Sequence, residues 1–60
     1  MSKSVMRIAA IIPALDEESA VGHMVRQIPR DLVGAIVVVD NGSMDRTAEV
    51  ARGAGARVIY

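Results

Sequence analysis

The chain has 60 residues, of which 52% are hydrophobic. It carries seven basic and seven acidic side chains and no cysteine. A chain of this length forms at most one small domain, and such a domain buries only about 60% of its unfolded surface. Its apolar content and zero formal charge argue against disorder and against a basic surface for nucleic acid. The absence of cysteine excludes disulfides and thiolate metal sites. The longest apolar run, residues 8–15, contains Pro13 and is far shorter than a membrane span, so we expect a soluble segment. The lack of cysteine is compatible with a reducing compartment, and we expect the segment to be cytoplasmic.

The first part of the chain predicts a strand, a loop and a helix. Residues 7–12 form an apolar block that suits a strand covered on both faces, and Pro13 is expected to end its pairing. Asp16 is the predicted N-cap of a helix, with acidic residues in its first turn. Apolar residues spaced three, four and seven apart from Val21 to Ile28 mark one helix face, and Pro29 stops it.

The second part repeats this order. Residues 35–39 are uniformly apolar and rich in β-branched side chains, which predicts a buried strand. The turn cluster at residues 40–43 follows, and Ser43 is the predicted cap of a helix over residues 44–53 that carries small alanine contacts. Gly55 fits the helix stop, and residues 56–60 predict a third strand. The fold class is therefore α/β, a β-α-β-α-β chain with a three-stranded parallel sheet.

Ligands of open parallel sheets bind at the carboxyl ends of the strands, so the informative loops are residues 13–18 and 40–45. Both loops are polar and lead into predicted helices. We expect their backbone N–H groups to be available to phosphate or ribose oxygens. Neither loop contains a dinucleotide-binding glycine fingerprint or a P-loop, which weakens dehydrogenase and ATPase hypotheses.

Two blocks resemble a known family. Residues 11–18 read IIPALDEE, and residues 37–47 read VVVDNGSMDRT. They resemble the opening of the family 2 glycosyltransferases of the GT-A fold, whose usual forms are I-P-x-[YLF]-N-E-E and V-V-D-[DN]-G-S-x-D-x-T. The following residues, 48–58, also look like that family, particularly its polyprenyl-phosphate (dolichyl-phosphate type) mannosyl and glucosyl transferases. The resemblance covers nearly the whole chain.

The resemblance implies a nucleotide-sugar site built from both loops. The implied binding residues are Pro13, Ala14, Leu15, Glu17, Asp40 and Asn41. The first three would line the base and ribose, Glu17 would accept hydrogen bonds from the ribose hydroxyls, and the last two would fix the base or ribose. Gly42 would permit the tight turn and Ser43 would cap the next helix. Two residues depart from the usual pattern, since Asp16 stands where Asn is commoner and Asn41 where many members carry Asp.

In the family, the D-x-D metal motif and the catalytic carboxylate come later in the domain than the two blocks and the residues that follow them. The resemblance therefore implies that residues 1–60 are the N-terminal part of a glycosyltransferase domain, with no catalytic or metal residue and no activity alone. For the parent enzyme it implies Mg²⁺ or Mn²⁺, a UDP- or GDP-linked sugar donor, and an acceptor such as a polyprenyl phosphate. It also implies a location in the cytoplasm or at the cytoplasmic face of a membrane.

Two other interpretations address the same residues. The chain could be a non-enzymatic α/β fragment without a ligand, either the product of a truncated or decayed gene or an interaction module, and its short length favours this alternative. A nicotinamide-binding Rossmann half with Asp40 as the ribose acid is disfavoured, because the glycine loop after the first strand is missing.

Overall fold

A computed structural model describes residues 8–60 and gives a strand and helix alternation over them. The elements are β1 (Ala9–Ala14), α1 (Val21–Arg26), β2 (Ala35–Asp40), α2 (Thr47–Gly53) and β3 (Arg57–Ile59). The predicted β-α-β-α-β order is confirmed. The first residue of the predicted opening strand, Arg7, lies outside the described residues. No helix within residues 8–60 is long and apolar enough to cross a membrane.

The three strands form one parallel sheet in the order β1-β2-β3, which confirms the predicted sheet. Strand β2 is central. Its register runs from Ala9 opposite Ala35 to Ala14 opposite Asp40 on the β1 side. Because the last pair joins the carboxyl ends of both strands, the loops that follow β1 and β2 begin side by side.

The helices cover one face of the sheet. Ile36 and Val38 on β2 are buried, and they alternate with half-buried residues on the opposite side of the strand. Helices α1 and α2 contact each other, so both lie on the buried side. An added Cβ at Gly22 of α1 would lie 3.1 Å from a Val50 methyl group, which explains why the helices approach closely there. The expectation of strands covered on both faces is wrong for these residues, since Ile11 on the other face is 67% exposed.

Strand β1 continues through Pro13, which corrects the expected end of pairing. Pro13 lies opposite Val39, and the ladder reaches Ala14. The carbonyl oxygen of Ile8 accepts the N–H of Gly34, just before β2, and that of Ala14 accepts the N–H of Asn41, just after β2. Because successive residues of a strand direct their N–H and C=O groups to opposite sides, the even-numbered residues of β1 direct these groups toward β2. The nitrogen of Pro13 therefore faces the open edge, where no donor is required.

Both helices begin later than predicted. Helix α1 starts at Val21 and α2 at Thr47, and their N-caps, Ala20 and Arg46, make no side-chain cap hydrogen bond. The predicted caps, Asp16 and Ser43, are therefore wrong. Their side chains form hydrogen bonds between the two loops instead, and the loops occupy the residues that were assigned to first helical turns.

The end of α2 follows the prediction. Gly55 has a φ of +104°, which only glycine adopts readily, and its N–H donates to the Arg52 carbonyl oxygen. The N–H of Ala56 donates to the Ala51 carbonyl oxygen at 3.1 Å. These two bonds make a Schellman motif, which satisfies the last carbonyl groups of the helix and turns the chain into β3.

Candidate functional site

Two loops meet at the carboxyl edge of the sheet. The first loop, residues 15–20, follows β1, and the second loop, residues 41–46, follows β2. The N–H of Asn41 donates to the Ala14 carbonyl oxygen at 2.9 Å, which extends the ladder by one bond beyond the strands. The sheet thereby fixes where both loops start.

Three successive backbone amides of the first loop donate to side-chain oxygens in and after the second loop. The pairs are Asp16 N–H to Ser43 Oγ at 2.9 Å, Glu17 N–H to Thr47 Oγ1 at 2.8 Å, and Glu18 N–H to Asp45 Oδ2 at 3.2 Å. We call Ser43, Asp45 and Thr47 the cross-loop clamp. Its members alternate along the chain, so one side of the second loop meets one edge of the first.

Asp16 returns a bond in the opposite direction. Its Oδ1 accepts the N–H of Met44 at 2.8 Å, and its φ is +51°. Asp and Asn are the non-glycine residues that enter this left-handed region most readily, and both carry a side-chain acceptor. The position where the family pattern has Asn therefore needs a left-handed residue with an acceptor, and Asp16 meets both needs.

Thr47 is the buried centre of the clamp. Its side chain is fully buried, and its hydroxyl accepts the Glu17 N–H while donating to Asp45 Oδ1. Asp45 Oδ1 also accepts the Thr47 N–H at 2.9 Å. The hydrogen bond from the Thr47 hydroxyl is the main reason that the pKa of Asp45 lies below its ordinary value of 3.8. Burial opposes it as the next largest effect, and the backbone amides of Thr47 and Glu18 each add a smaller lowering.

Asp40, the last residue of β2, holds the second loop by a hydrogen bond. It is 5% exposed, and its Oδ1 accepts the Ser43 N–H at 2.9 Å. Gly42, between them, has a φ of +89°. Asp40 and Ala14 are paired across the strands and buried on the helix side of the sheet, so neither side chain lies on the open surface.

The side chains that remain at the surface are fewer than predicted. Pro13, Leu15 and Asn41 are exposed, and Glu17 is half-buried. The amides of residues 16–18, 43 and 44 already donate to side-chain oxygens, so the expectation that these amides would be available to phosphate is wrong. No enclosed pocket forms within residues 8–60.

The three aspartates at the carboxyl edge of the sheet do not fit a divalent metal. Asp16, Asp40 and Asp45 each accept backbone N–H groups, which turns their oxygens toward the protein. In the part of the chain that the structure describes, no three His, Cys, Asp or Glu side chains converge to hold a metal ion.

No protein-family model matches the chain. Two sequence relatives match most of it. A protein of Methanocaldococcus jannaschii described as uncharacterized is 39% identical over 51 residues, which are 85% of this chain and 21% of that protein. A 4,4'-diaponeurosporenoate glycosyltransferase of Staphylococcus aureus is 42% identical over 53 residues, which are 87% of this chain and 14% of that enzyme. The chain thus spans about a fifth or less of the relatives it matches.

A solved structure decides the fold. Glucosyl-3-phosphoglycerate synthase of Mycobacterium tuberculosis superposes with a TM-score of 0.82 and 39% identity, over 88% of this chain and 20% of that one. This is the fold of the N-terminal part of GT-A glycosyltransferases. The same synthase has been crystallised with Mn²⁺, UDP and glucosyl-3-phosphoglycerate, and with Mg²⁺ and UDP. The homologues of this chain are therefore glycosyltransferases, and one of them binds UDP together with Mn²⁺ or Mg²⁺.

Sequence reasoning missed the cross-loop clamp. Asp45 and Thr47 lie within the helix predicted over residues 44–53, which gives neither of them a role between the loops. The residues alone carry no signal for the clamp, because it depends on α2 starting only at Thr47 and on the two loops meeting at the ends of adjacent strands.

Proposed function

We propose that this chain is the N-terminal nucleotide-binding segment of a family 2 glycosyltransferase domain. The segment would hold the UDP part of a UDP-sugar at the carboxyl edge of its sheet. The observation that carries the proposal is the meeting of two motif-bearing loops at the ends of adjacent parallel strands. The likeness to a synthase that binds UDP supports it, at 36% identity and a TM-score of 0.81 for the UDP complex.

Within this proposal the binding residues divide by exposure. Pro13 and Leu15 offer apolar surface beside the base and ribose, and Glu17 and Asn41 offer acceptors and a side-chain amide. Asp40 acts through the second loop, which it holds by the Ser43 N–H. Ala14 acts through its backbone, because its side chain is buried and its carbonyl oxygen accepts the Asn41 N–H, which fixes the start of the second loop.

Catalysis is assigned to a longer protein. Residues 1–60 would form part of a domain whose remaining segments supply the divalent metal, Mg²⁺ or Mn²⁺, and the catalytic carboxylate. The acceptor is left out of the proposal. The polyprenyl phosphate expected from the resemblance has no support among the relatives, whose names give phosphoglycerate and diaponeurosporenoate.

A nuclear magnetic resonance titration of the ¹⁵N-labelled chain with UDP and, separately, GDP tests the proposal. We expect saturable shifts at residues 15–18 and at Asn41 with UDP. Asn41→Ala should weaken binding about 2- to 10-fold, the effect of one ordinary hydrogen bond. Gln27→Ala is the matched control. It removes another exposed side-chain amide, at the C-terminal end of α1 and away from the two loops.

The competing outcomes are distinct. If Asn41→Ala and Gln27→Ala weakened UDP binding equally, UDP would not bind at the carboxyl ends of the strands as proposed. A well-dispersed spectrum that no nucleotide changes would overturn the proposal and favour a non-enzymatic α/β fragment.

A further inference from the structure

The two loops at the carboxyl edge are held together by side-chain oxygens. Thr47 is fully buried, Ser43 and Asp45 are half-buried, and Asp16 is exposed. Apart from the Asn41 amide, each polar link between them within residues 8–60 joins a side-chain oxygen of one loop to a backbone amide of the other. The first loop contributes the amides of three consecutive residues. Such an array fixes the backbone path of residues 16–18, and with it the direction of the Glu17 side chain.

Thr47 shows why this arrangement is more than local capping. It belongs to α2, which is separated from the first loop by a helix and a strand, yet its hydroxyl accepts the Glu17 N–H 30 residues earlier. Its side chain has no exposed surface, so it has no access to a ligand at the edge. Any influence of Thr47 on a bound nucleotide must therefore pass through its two hydrogen-bond partners, the Glu17 backbone amide and the Asp45 carboxylate, which itself holds the Glu18 amide.

We infer that the cross-loop clamp, Ser43, Asp45 and Thr47, positions the first loop for nucleotide binding. These are positioning residues and not ligand contacts. The inference rests on the proposed function, and it adds that the S-x-D-x-T part of the second motif serves the first motif. A first loop released from the clamp would sample other conformations, and the apparent affinity for UDP would fall with the fraction that remains competent.

The test uses the full chain with Thr47→Val, which removes the hydroxyl at nearly constant volume, and Thr47→Ser, which keeps it. Amide hydrogen exchange is measured first without ligand. In Thr47→Val we expect the Glu17 amide to exchange at least about tenfold faster, since it loses its acceptor, while the Val38 amide in the central strand serves as the internal reference. Thr47→Ser should restore most of the protection.

UDP affinity is measured next on the same samples. We expect Thr47→Val to weaken UDP binding about 3- to 10-fold, with Thr47→Ser close to the unmodified chain. Unchanged exchange at residues 16–18 would overturn the inference outright. Faster exchange with unchanged UDP affinity would also overturn it, because the clamp would then be structural only.

Two further outcomes remain decisive. If Thr47→Val does not fold, Ser43→Ala removes the acceptor of the Asp16 amide at a less buried position and is judged by the same two measurements. If the unmodified chain binds no UDP, the proposed function fails and positioning of a nucleotide fails with it. The exchange rates without ligand still decide whether the clamp orders the first loop.

Discussion

Adjacent residues of the central strand should respond very differently to truncation. Val38 is fully buried against the helices, whereas Val37, on the opposite face of β2, is only half-buried. Val38→Ala removes two methyl groups, about 1.6 kcal/mol at about 0.8 kcal/mol each, and the cavity left behind brings the loss to about 2–3 kcal/mol. A domain of this size has a total stability of only about 3–9 kcal/mol, so the loss is large.

Val37→Ala is the matched control. Its side chain lies in register between Ile11 and Arg57 on the uncovered face, where little packing is lost, so we expect less than about 1 kcal/mol. Urea denaturation followed by far-ultraviolet circular dichroism compares the variants. With a slope of about 1 kcal/mol per molar urea, Val38→Ala should lower the midpoint by about 2 M or more.

Equal losses for the two variants would refute the argument, because they would mean that both faces of β2 are packed in solution. A neutral Val38→Ala would refute the position of the core. If Val38→Ala does not fold, Ile36→Val gives a milder test on the same face, with an expected loss of about 0.5–1.5 kcal/mol.

Two other predictions follow from the end of α2 and from the clamp. Gly55→Ala should destabilise the chain by about 1–2 kcal/mol in urea denaturation, because the residue has a φ of +104° and the new Cβ would lie 2.7 Å from Arg30 Nη2. Gly53→Ala, where an added Cβ meets nothing within 4 Å, should be neutral or stabilising, and a loss at Gly53 as large as at Gly55 would contradict the role of φ. Because the folded pKa of Asp45 is lowered, its stabilising effect is complete above 3.8 and is lost as the pH falls through the lower folded value. The side-chain carboxyl ¹³C shift of Asp45 should therefore titrate with a midpoint below 3.8, and a midpoint above 3.8 would contradict the hydrogen bonds to Asp45.

The local sequence determined the order of the elements and the ends that depend on single residues. The apolar block of β2 gave a strand because β-branched side chains suit a pleated and buried backbone. Gly55 ended α2 because residues with a Cβ rarely adopt the required φ. The two motifs likewise gave the loops at the strand ends, because turn-forming residues follow each apolar run.

Tertiary structure decided everything that depends on distant partners. Pro13 stays in β1 only because β1 is an edge strand, and the order of strands is not written in the residues around Pro13. The same holds for the acidic loops. Asp16 and Ser43 look like helix caps when each loop is read alone, since the nearest free amides in the chain are those of the following helix.

In the folded chain a parallel ladder brings the two loops together, and amides from the other loop become available as partners. Asp16 and Ser43 then bond across the loops, and the helices start later without a side-chain cap. The residues that the sequence assigned to local capping therefore hold the candidate site together, because hydrogen bonds between segments form only after the sheet has set the distance between them.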